Sequence, residues 1–539
     1  MQIFHFFKHE MVLSKHALFV IVTLSGIANA LLLVVVNTAA EALAGQGDLG
    51  RPFILYILLL VLFLYTQYRV LMQSAKAVEV ALLAMKQRVT DKIQQANLLF
   101  IENHLNLGFF TTLTQDTATI AQAALRIISA VQSLLVIVFS AIYLFFISPL
   151  SFFLLALFLI ALIPVFTLNS HAAKNTLQQS HDTQTTITNK LAELLQGFKE
   201  LRLDPAASDA FFARLHDLTH TSAKLKTAAN LRISYDIVFS TLARYLLLLL
   251  VVFIVPLLVI ESADTTHHVV AAVLFIVAPI TLLTNALPTL MRTEASIANL
   301  YALETKLATA DQDKAEQHQA ASSQFKQIAL QGVQFHYNEA DTQPLIFGPF
   351  ELTLKQHQVM FITGGNGSGK STLLKLLAGL YTASAGTLIW DGQPVTSNRL
   401  ADFRGLFSGV FADAYLFDEL YNICEHDPNK LAEIVDVWLD SMELSDQVNF
   451  DETRFIQSQL SIGQQKRLAL IVSILKKRPI LLLDEFTADQ EPHFRDYVYR
   501  QVIPKLQSAG YTLVLVTHDE AYFELADVMI RLQDRKVIP

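Results

Sequence analysis

Gly364-Gly365-Asn366-Gly367-Ser368-Gly369-Lys370-Ser371-Thr372 is the stretch on which the reading of this chain turns. It fits the pattern G-x-x-x-x-G-K-[ST], and it stands between a strand-like run at 359–363 (VMFIT) and a helix-like run at 371–380 (STLLKLLAGL). Glycines let successive backbone N–H groups curl around phosphate oxygens without Cβ clashes. The helix that follows points its positive N-terminus at the same anion. Lys370 adds a charge for the β- and γ-phosphates, and the Ser371 hydroxyl can hold Mg2+. These nine residues are therefore the candidate ATP-binding loop.

Working outward, the apolar run Ile480-Leu481-Leu482-Leu483 ends in Asp484-Glu485, two carboxylates at a strand tip. With a phosphate loop in the same domain, Asp484 belongs beside the metal, and Glu485 can take a proton from an attacking water. From 325 onward, short apolar strand-like runs such as 359–363, 480–483 and 512–516 alternate with amphipathic helices, as in an α/β domain. A polar stretch at 309–324, without hydrophobic periodicity, reads as a linker before it.

The first 308 residues differ in kind. Overall, the hydrophobic set is 53% of the chain and the charged set 16%, against about 25% charged in soluble domains. That deficit excludes an ordinary soluble enzyme and a disordered chain. Lys+Arg 40 against Asp+Glu 48 gives −8, so there is no global basic footprint for nucleic acid. The single cysteine, Cys424, excludes an intrachain disulfide and any cysteine-rich metal site. The charge-poor runs predict six membrane helices at about 17–40, 52–72, 127–147, 150–168, 236–260 and 269–291, each long enough for ~30 Å of hydrocarbon. The first run exceeds the h-region of a signal peptide, so it is expected to be an uncleaved anchor rather than a leader cut near Ala44.

Loop charge sets the orientation. The segment after span two carries Arg69, Lys76, Lys86, Arg88, Lys92 and Arg126. The segment after span four carries Lys174, Lys190, Lys199, Arg202, Arg214, Lys224, Lys226 and Arg232, whereas the opposite loops carry only Arg51. The positive-inside rule places both long segments and both termini in the cytoplasm. Their Ala-, Gln-, Leu- and Lys-rich composition suits long helical extensions, turning near 103–108 and 197–205; a separate small cytoplasmic domain is the alternative. Polar residues within spans often face a cavity. The candidates are Asn29, Asn37, Gln67, Tyr68, Gln132, Tyr143, Arg244, Tyr245 and Asn285, of which Arg244, Asn285 and Tyr68 are taken as the cargo residues. Pro279 and Pro288 are expected to kink span six.

Between the phosphate loop and the hydrolysis strand lies Leu460-Ser461-Ile462-Gly463-Gln464-Gln465-Lys466-Arg467, followed by 468–475 (LALIVSIL). Here the chain resembles the ATP-binding cassette (ABC) superfamily, whose signature L-S-G-G-Q it departs from at Ile462. The resemblance covers the whole chain and implies a half-size exporter. It implies a multidomain protein, with an all-α six-helix transmembrane domain (1–308) followed by an α/β P-loop ATPase domain (325–539). It implies ATP and Mg2+ as cofactors, with Ser371 and Asp484 at the metal and Glu485 and His518 catalytic. It also implies that Leu460, Ser461, Ile462, Gly463 and Gln464 face ATP held by a partner subunit. Tyr337, in 333–337, looks like the aromatic that stacks on adenine. Asp489 looks like the residue of the dimer seam, and Thr517-His518 like the switch that reaches the γ-phosphate.

Two departures bear on coupling. Ala412 stands where cassettes carry a glutamine, beside Asp413, and Phe450-Asp451-Glu452-Thr453-Arg454 replaces the acidic-Gly segment usual upstream of the signature. The combination also includes 484–492 (DEFTADQEP) and the motif Gly197-x-Lys199-Glu200-Leu201-x-Leu203. Together these features look like the bacterial exporters of cyclic peptides, lipopeptides and peptidic siderophores. The reading that results is an ATP hydrolase coupled to export across the bacterial inner membrane. It would act as a homodimer with a peptide-like cargo, among membrane lipids, with or without a periplasmic or outer-membrane partner. A lipid or lipopeptide flippase, and a nucleotide-gated regulator without transport, are the alternatives.

Overall fold

The computed structural model describes residues 15–44, 48–104, 112–254, 263–309, 324–337, 345–421, 427–451, 453–457 and 460–538, with a few isolated positions besides. Two units divide the chain, residues 1–94 with 104–309, and residues 95–103 with 310–539. The linker expected at 309–324 lies almost wholly outside the described residues.

The first unit is helical. Its elements are α1 (Lys15–Ala44), α2 (Gly50–Gln95), α4 (Thr117–Ile147), α5 (Pro149–Gln196), α6 (Phe198–Leu203), α7 (Pro205–Leu249) and α8 (Ala263–Thr309). A π-helical turn, Thr112–Asp116, leads into α4, and another, Leu250–Ile254, extends α7. Among the described residues, five helices are long and apolar enough to cross a membrane. The fourth expected span, 150–168, falls in α5; the side chains of 162–174 lie outside the described residues, as do 255–260 of the fifth span. The 46 residues of α2 rise about 70 Å, more than twice the ~30 Å of hydrocarbon, so the helix continues well past any bilayer.

Local chemistry explains the breaks. At the α4–α5 junction the Ser148 hydroxyl accepts from the Ser151 N–H, and Pro149 opens α5 at a position where its missing N–H is not needed. Gly197 ends α5, and Asp204 caps α7 by accepting from the Ala207 N–H at 3.0 Å, with Pro205 next. The short α6 thus lies between two cap residues, within the expected turn 197–205. Helices α1 and α4 approach closely: a Cβ on Gly26 would stand 3.0 Å from Leu135 Cβ. Leu33, Ile137, Leu144, Leu155, Leu247 and Ile276 form the core shared by α1, α4, α5, α7 and α8. Toward the other end, Arg88 pairs with Glu10 at 2.7 Å and Glu304 at 3.4 Å, and Lys92 pairs with Glu304 at 2.9 Å, tying α2 to α8. Helix α8 runs through both Pro279 and Pro288 without interruption.

The second unit contains α3 (Leu98–His104), whose residues 98–103 belong here, and three sheets. The four-stranded sheet comprises β1 (Gln327–His336), β2 (Ile346–Lys355), β4 (Ala385–Trp390) and β5 (Gln393–Pro394), in the order β2-β1-β4-β5. The six-stranded sheet is ordered β12-β11-β3-β10-β9-β6, from β3 (Val359–Gly364), β6 (Phe407–Val410), β9 (Ile480–Asp484), β10 (Thr512–Val516), β11 (Val528–Gln533) and β12 (Lys536–Ile538). All its pairings are parallel except β11–β12. A hairpin of β7 (Val448–Asp451) and β8 (Arg454–Gln457) stands apart. Helices α9 (Lys370–Leu377), α10 (Leu400–Arg404), α11 (Pro428–Ser441), α12 (Ile462–Leu475), α13 (Pro492–Tyr497) and α14 (Ile503–Ser508) complete the unit.

Strands β3, β9 and β10 are buried on both faces, which is why their sequences are continuous apolar runs. The two-residue period still sorts their side chains. Phe361, Leu481, Leu483, Leu513 and Leu515 enter one core with α11, α12 and α14. Met360, Ile362, Ile480, Leu482, Val514 and Val516 enter the other with α9 and the four-stranded sheet.

Candidate functional site

β10 lies between β3 and β9, so the carboxyl ends of three adjacent parallel strands deliver the glycine loop, Asp484-Glu485 and Thr517-His518 to one edge of the sheet. Ligands of open parallel sheets bind at that edge.

The glycines are required by space. Gly364 has φ +148°, and a Cβ there would meet the Leu532 carbonyl at 2.3 Å; Gly369 has φ +97°, with Phe347 Cδ1 at 2.7 Å. Gly365, Asn366 and Gly367 form the exposed crest of the loop. The Ser368 hydroxyl is buried and forms no hydrogen bond among the described residues. The Lys370 side chain is only 5% exposed; its Nζ donates to the Gly364 and Gly365 carbonyls at 3.0 and 3.1 Å and stands 4.0 Å from Glu485 Oε1. The ammonium is thus folded back under the loop, at the start of α9. Ser371 Oγ donates to Asp484 Oδ1 at 3.3 Å. The Tyr337 hydroxyl bonds the Thr372 hydroxyl at 2.8 Å, and its ring meets Phe347 and Tyr381 edge-on.

Burial pushes the Asp484 carboxyl upward and the neighbouring Glu485 charge adds to this, while the Ser371 hydrogen bond and the Lys375 and Lys370 charges oppose it. A serine hydroxyl against a buried carboxylate is a hard-oxygen donor pair suited to Mg2+, and an added cation would relieve the desolvated acid. Glu485 leaves the strand at φ +49°, a region that L residues rarely adopt. Its N–H donates to the Val516 carbonyl at 3.1 Å, and its own carbonyl accepts from Lys466 Nζ at 2.9 Å. That turn brings the Glu485 carboxylate 3.7 Å from His518 Nε2, with both side chains partly open to solvent.

The signature helix is fixed from another direction. Ser461 caps α12: its Oγ accepts from the Gln464 N–H at 3.2 Å, and Gln464 Oε1 accepts from the Ser461 N–H at 2.9 Å. Ile462, the residue that departs from the usual signature, is 64% exposed. Gly463 is buried so tightly that a Cβ would meet the Asp489 carbonyl at 2.5 Å. Leu460 packs on the larger core. Among the described residues, no hydrogen bond or ion pair joins the signature, 460–464, to the phosphate loop, 364–372.

Several functional contacts are not visible in the motifs. Lys466, 5% exposed, bridges the Glu485 carbonyl and the Asp489 carboxylate, the latter at 2.7 Å. Arg467 bonds Gln490 at 2.8 Å and lies over the Phe494 ring, and Gln490 donates back to the Gly463 carbonyl at 3.0 Å. Tyr499 OH joins Thr517 at 2.6 Å, Thr487 at 3.1 Å and Asp519 at 3.0 Å, linking the seam loop to the histidine loop. A third cluster ties α3 into this unit: Tyr381 OH and Lys375 Nζ donate to the Glu102 carboxylate at 2.6 and 2.8 Å, while Leu98 and Leu99 pack on the smaller core. Ala412 and Asp413 form an exposed turn after β6.

In the helical unit, Arg244 donates to the Thr281 hydroxyl and, at 2.7 Å, to that of Thr241. Tyr68 is 60% exposed and Asn285 is exposed. A cavity of about 440 Å³ in this unit is lined instead by Ser25, Asn29, Gln67, Ser129, Gln132 and Ser133 among apolar neighbours; Arg244, Asn285 and Tyr68 do not line it.

A glycine phosphate loop, paired acids and a capped signature helix on one parallel sheet define an ATP-binding cassette domain. Comparison agrees: residues 347–488 match the family model of the ABC transporter. The chain is 35% identical over 277 residues to the ATP-binding protein SyrD of Pseudomonas syringae pv. syringae, covering 49% of this chain and 48% of that one, so it spans about half of that relative's length. It is 28% identical over 218 residues to the lipoprotein-releasing system ATP-binding protein LolD of Treponema denticola, 38% of this chain and 94% of that one. In fold it is similar to a bacterial Atm1-family ABC exporter with ATP bound, at TM-score 0.79 and 15% identity, over 99% of this chain and 95% of that one. The chain thus has the fold of a half-size ABC exporter, a multi-pass helical membrane domain of exporter type followed by one cassette.

Proposed function

We propose that this chain drives export of a cyclic or modified peptide, or a peptidic siderophore, across the bacterial inner membrane at the expense of ATP. Two copies pair so that the signature of each completes the phosphate loop of the other. The observation that carries the proposal is the convergence of Lys370, Ser371–Asp484, Glu485 and His518 on one sheet edge, in a chain whose other domain is a set of membrane helices. The separation of signature and phosphate loop within one chain supports pairing of two copies. The basic cytoplasmic segments support inward-facing termini.

In this reading the loop N–H groups and Lys370 hold the β- and γ-phosphates. Ser371 and Asp484 would hold Mg2+, which would supply positive charge beside the phosphate oxygens. Glu485 accepts a proton from water as the water oxygen attacks the γ-phosphorus; the bond to the ADP oxygen breaks, and ADP and phosphate leave. His518 donates a hydrogen bond to the γ-phosphate. Ser461 and Gly463 of the second copy close over the same phosphate. Tyr337 borders the adenine, and Asp489 sits at the seam.

The test is ATP-dependent uptake into inverted membrane vesicles, with cyclic peptides, lasso peptides, peptidic siderophores and fluorescent lipids as the panel and Glu485→Gln vesicles as the blank. Uptake of one peptide class above the blank is the expected result. Uptake of lipid alone would replace export by flipping. ATP hydrolysis without uptake of any cargo would leave a nucleotide-gated regulator.

A further inference from the structure

The cavity in the helical unit has a chemical character that its individual residues do not announce. Ser25 on α1, Gln67 on α2 and Gln132 on α4 meet at its wall. Gln132 Nε2 donates to Gln67 Oε1 at 2.7 Å and to Ser25 Oγ at 3.3 Å, and Ser25 Oγ donates to Gln67 Oε1 at 3.3 Å. This triad uses both N–H groups of Gln132 and both lone pairs of the Gln67 oxygen. It leaves over the Gln132 carbonyl oxygen and the Gln67 amino group, which form no hydrogen bond among the described residues; Asn29, also on the wall, forms none with its amide either. None of these atoms is sealed from solvent. Turning both glutamine amides over still leaves one unused acceptor and one unused donor.

A further acceptor comes from the backbone. Pro279 lines the cavity and has no N–H, so the carbonyl of Phe275, also on the wall, lacks its helical donor. The remaining lining is apolar apart from Ser129 and Ser133, whose hydroxyls donate to the Leu125 and Ser129 carbonyls of their own helix, and no Asp, Glu, Lys, Arg or His is among it. At about 440 Å³ the space lies within the ~300–1,000 Å³ typical of ligand pockets. Unused amide donors and acceptors, fixed in an uncharged and otherwise largely apolar wall, favour a ligand that supplies C=O and N–H groups without charge. They disfavour an ion, which would be desolvated with no counter-charge.

We infer that this cavity is a cargo subsite that reads neutral backbone amides, with Gln132 and Gln67 as its paired acceptor and donor; the role as a cargo site rests on the export reading above. The subsite selects unsubstituted secondary amides over N-alkylated ones, because N-methylation removes the N–H that Gln132 and the Phe275 carbonyl accept.

Equilibrium binding to the full chain in lipid nanodiscs tests this. The probes are a neutral cyclic hexapeptide with six free amide N–H groups and the same ring N-methylated at every residue. In wild type the free-amide ring binds about tenfold or more tightly than the methylated one. In Gln132→Leu, which removes the acceptor, and in Gln67→Leu, which releases the Gln132 amide that Gln67 holds at 2.7 Å, that ratio falls toward one, whereas Ser25→Ala, which keeps both unused groups, changes it less. Gln67 is only half-buried, so its variant gives a reading even if Gln132→Leu does not fold. A ratio near one in wild type overturns the subsite. So does a ratio that both glutamine variants leave unchanged, with peptide export itself untouched. A ring that neither binds nor accumulates with ATP in inverted vesicles, where the rest of the peptide panel also fails, removes the export reading and the subsite with it.

Discussion

Glu485 holds its backbone at φ +49°, a conformation costing about 1–3 kcal/mol, between a strand carbonyl and the ammonium of Lys466. The turn aims its carboxylate at the mouth of the site rather than back along the sheet. Replacing the carboxylate by an amide in Glu485→Gln should leave ATP binding intact and lower kcat by roughly 10²–10⁴-fold, measured as phosphate release beside nucleotide binding. Lys466 tests the support rather than the chemistry. Lys466→Met leaves the Glu485 carbonyl unpaired and frees Asp489, so it should cost about 1–3 kcal/mol of stability. It should also lower kcat while leaving the KM for ATP near wild type; a change confined to KM would place Lys466 at the nucleotide instead. Glu485, Asp484 and Lys370 are legible in the sequence because each sits at a fixed offset in a strand–loop–helix pattern. Lys466 and Tyr499 are not, since their partners lie 19 and 18 positions away on other elements, and only the sheet order brings them together.

At the scale of elements, the signature helix is positioned twice, by the Ser461–Gln464 capping box and by the fit of Gly463 against Asp489. Gly463→Ala puts a methyl 2.5 Å from the Asp489 carbonyl, so α12 or the seam loop has to move. The expected outcome is a loss of about 1–3 kcal/mol in thermal unfolding, together with loss of ATP hydrolysis. The short helix α3 is held by Glu102, which accepts from both Tyr381 and Lys375. Because α3 follows α2 directly in the chain, Glu102→Ala should reduce stimulation of ATP hydrolysis by a transported peptide more than it reduces basal hydrolysis. Phosphate release with and without peptide measures this. The turn expected at 103–108 lies almost wholly outside the described residues; before it, the Asn97 side chain accepts from the Phe100 N–H at 2.8 Å at the start of α3, which runs to His104. The second turn reads correctly because Gly197, Asp204 and Pro205 are strong stop and start residues.

For the whole molecule, the two-part architecture is legible because charge-free runs and a phosphate loop are local signals. The cavity wall is not, because it is assembled from α1, α2, α4 and α8. Gln67 and Gln132 are visible as polar residues in spans, yet nothing in the sequence separates them from Arg244, whose guanidinium is taken up by Thr241 and Thr281, or from the exposed Tyr68 and Asn285. Turnover by two copies that each lend a signature to the other has a direct measurement: ATP hydrolysis by chains carrying Lys370→Ala, chains carrying Ser461→Ala, and the co-expressed mixture. Each variant alone forms only defective sites. In a mixed pair, one site combines both lesions and the other combines an intact phosphate loop with an intact signature. The account predicts that the mixture hydrolyses ATP well above either variant alone, and that this activity disappears when the lysine and serine lesions are placed on the same chain. Activity in the mixture no greater than the average of the two variants would contradict it, since each chain would then be hydrolysing ATP with its own loop and its own signature.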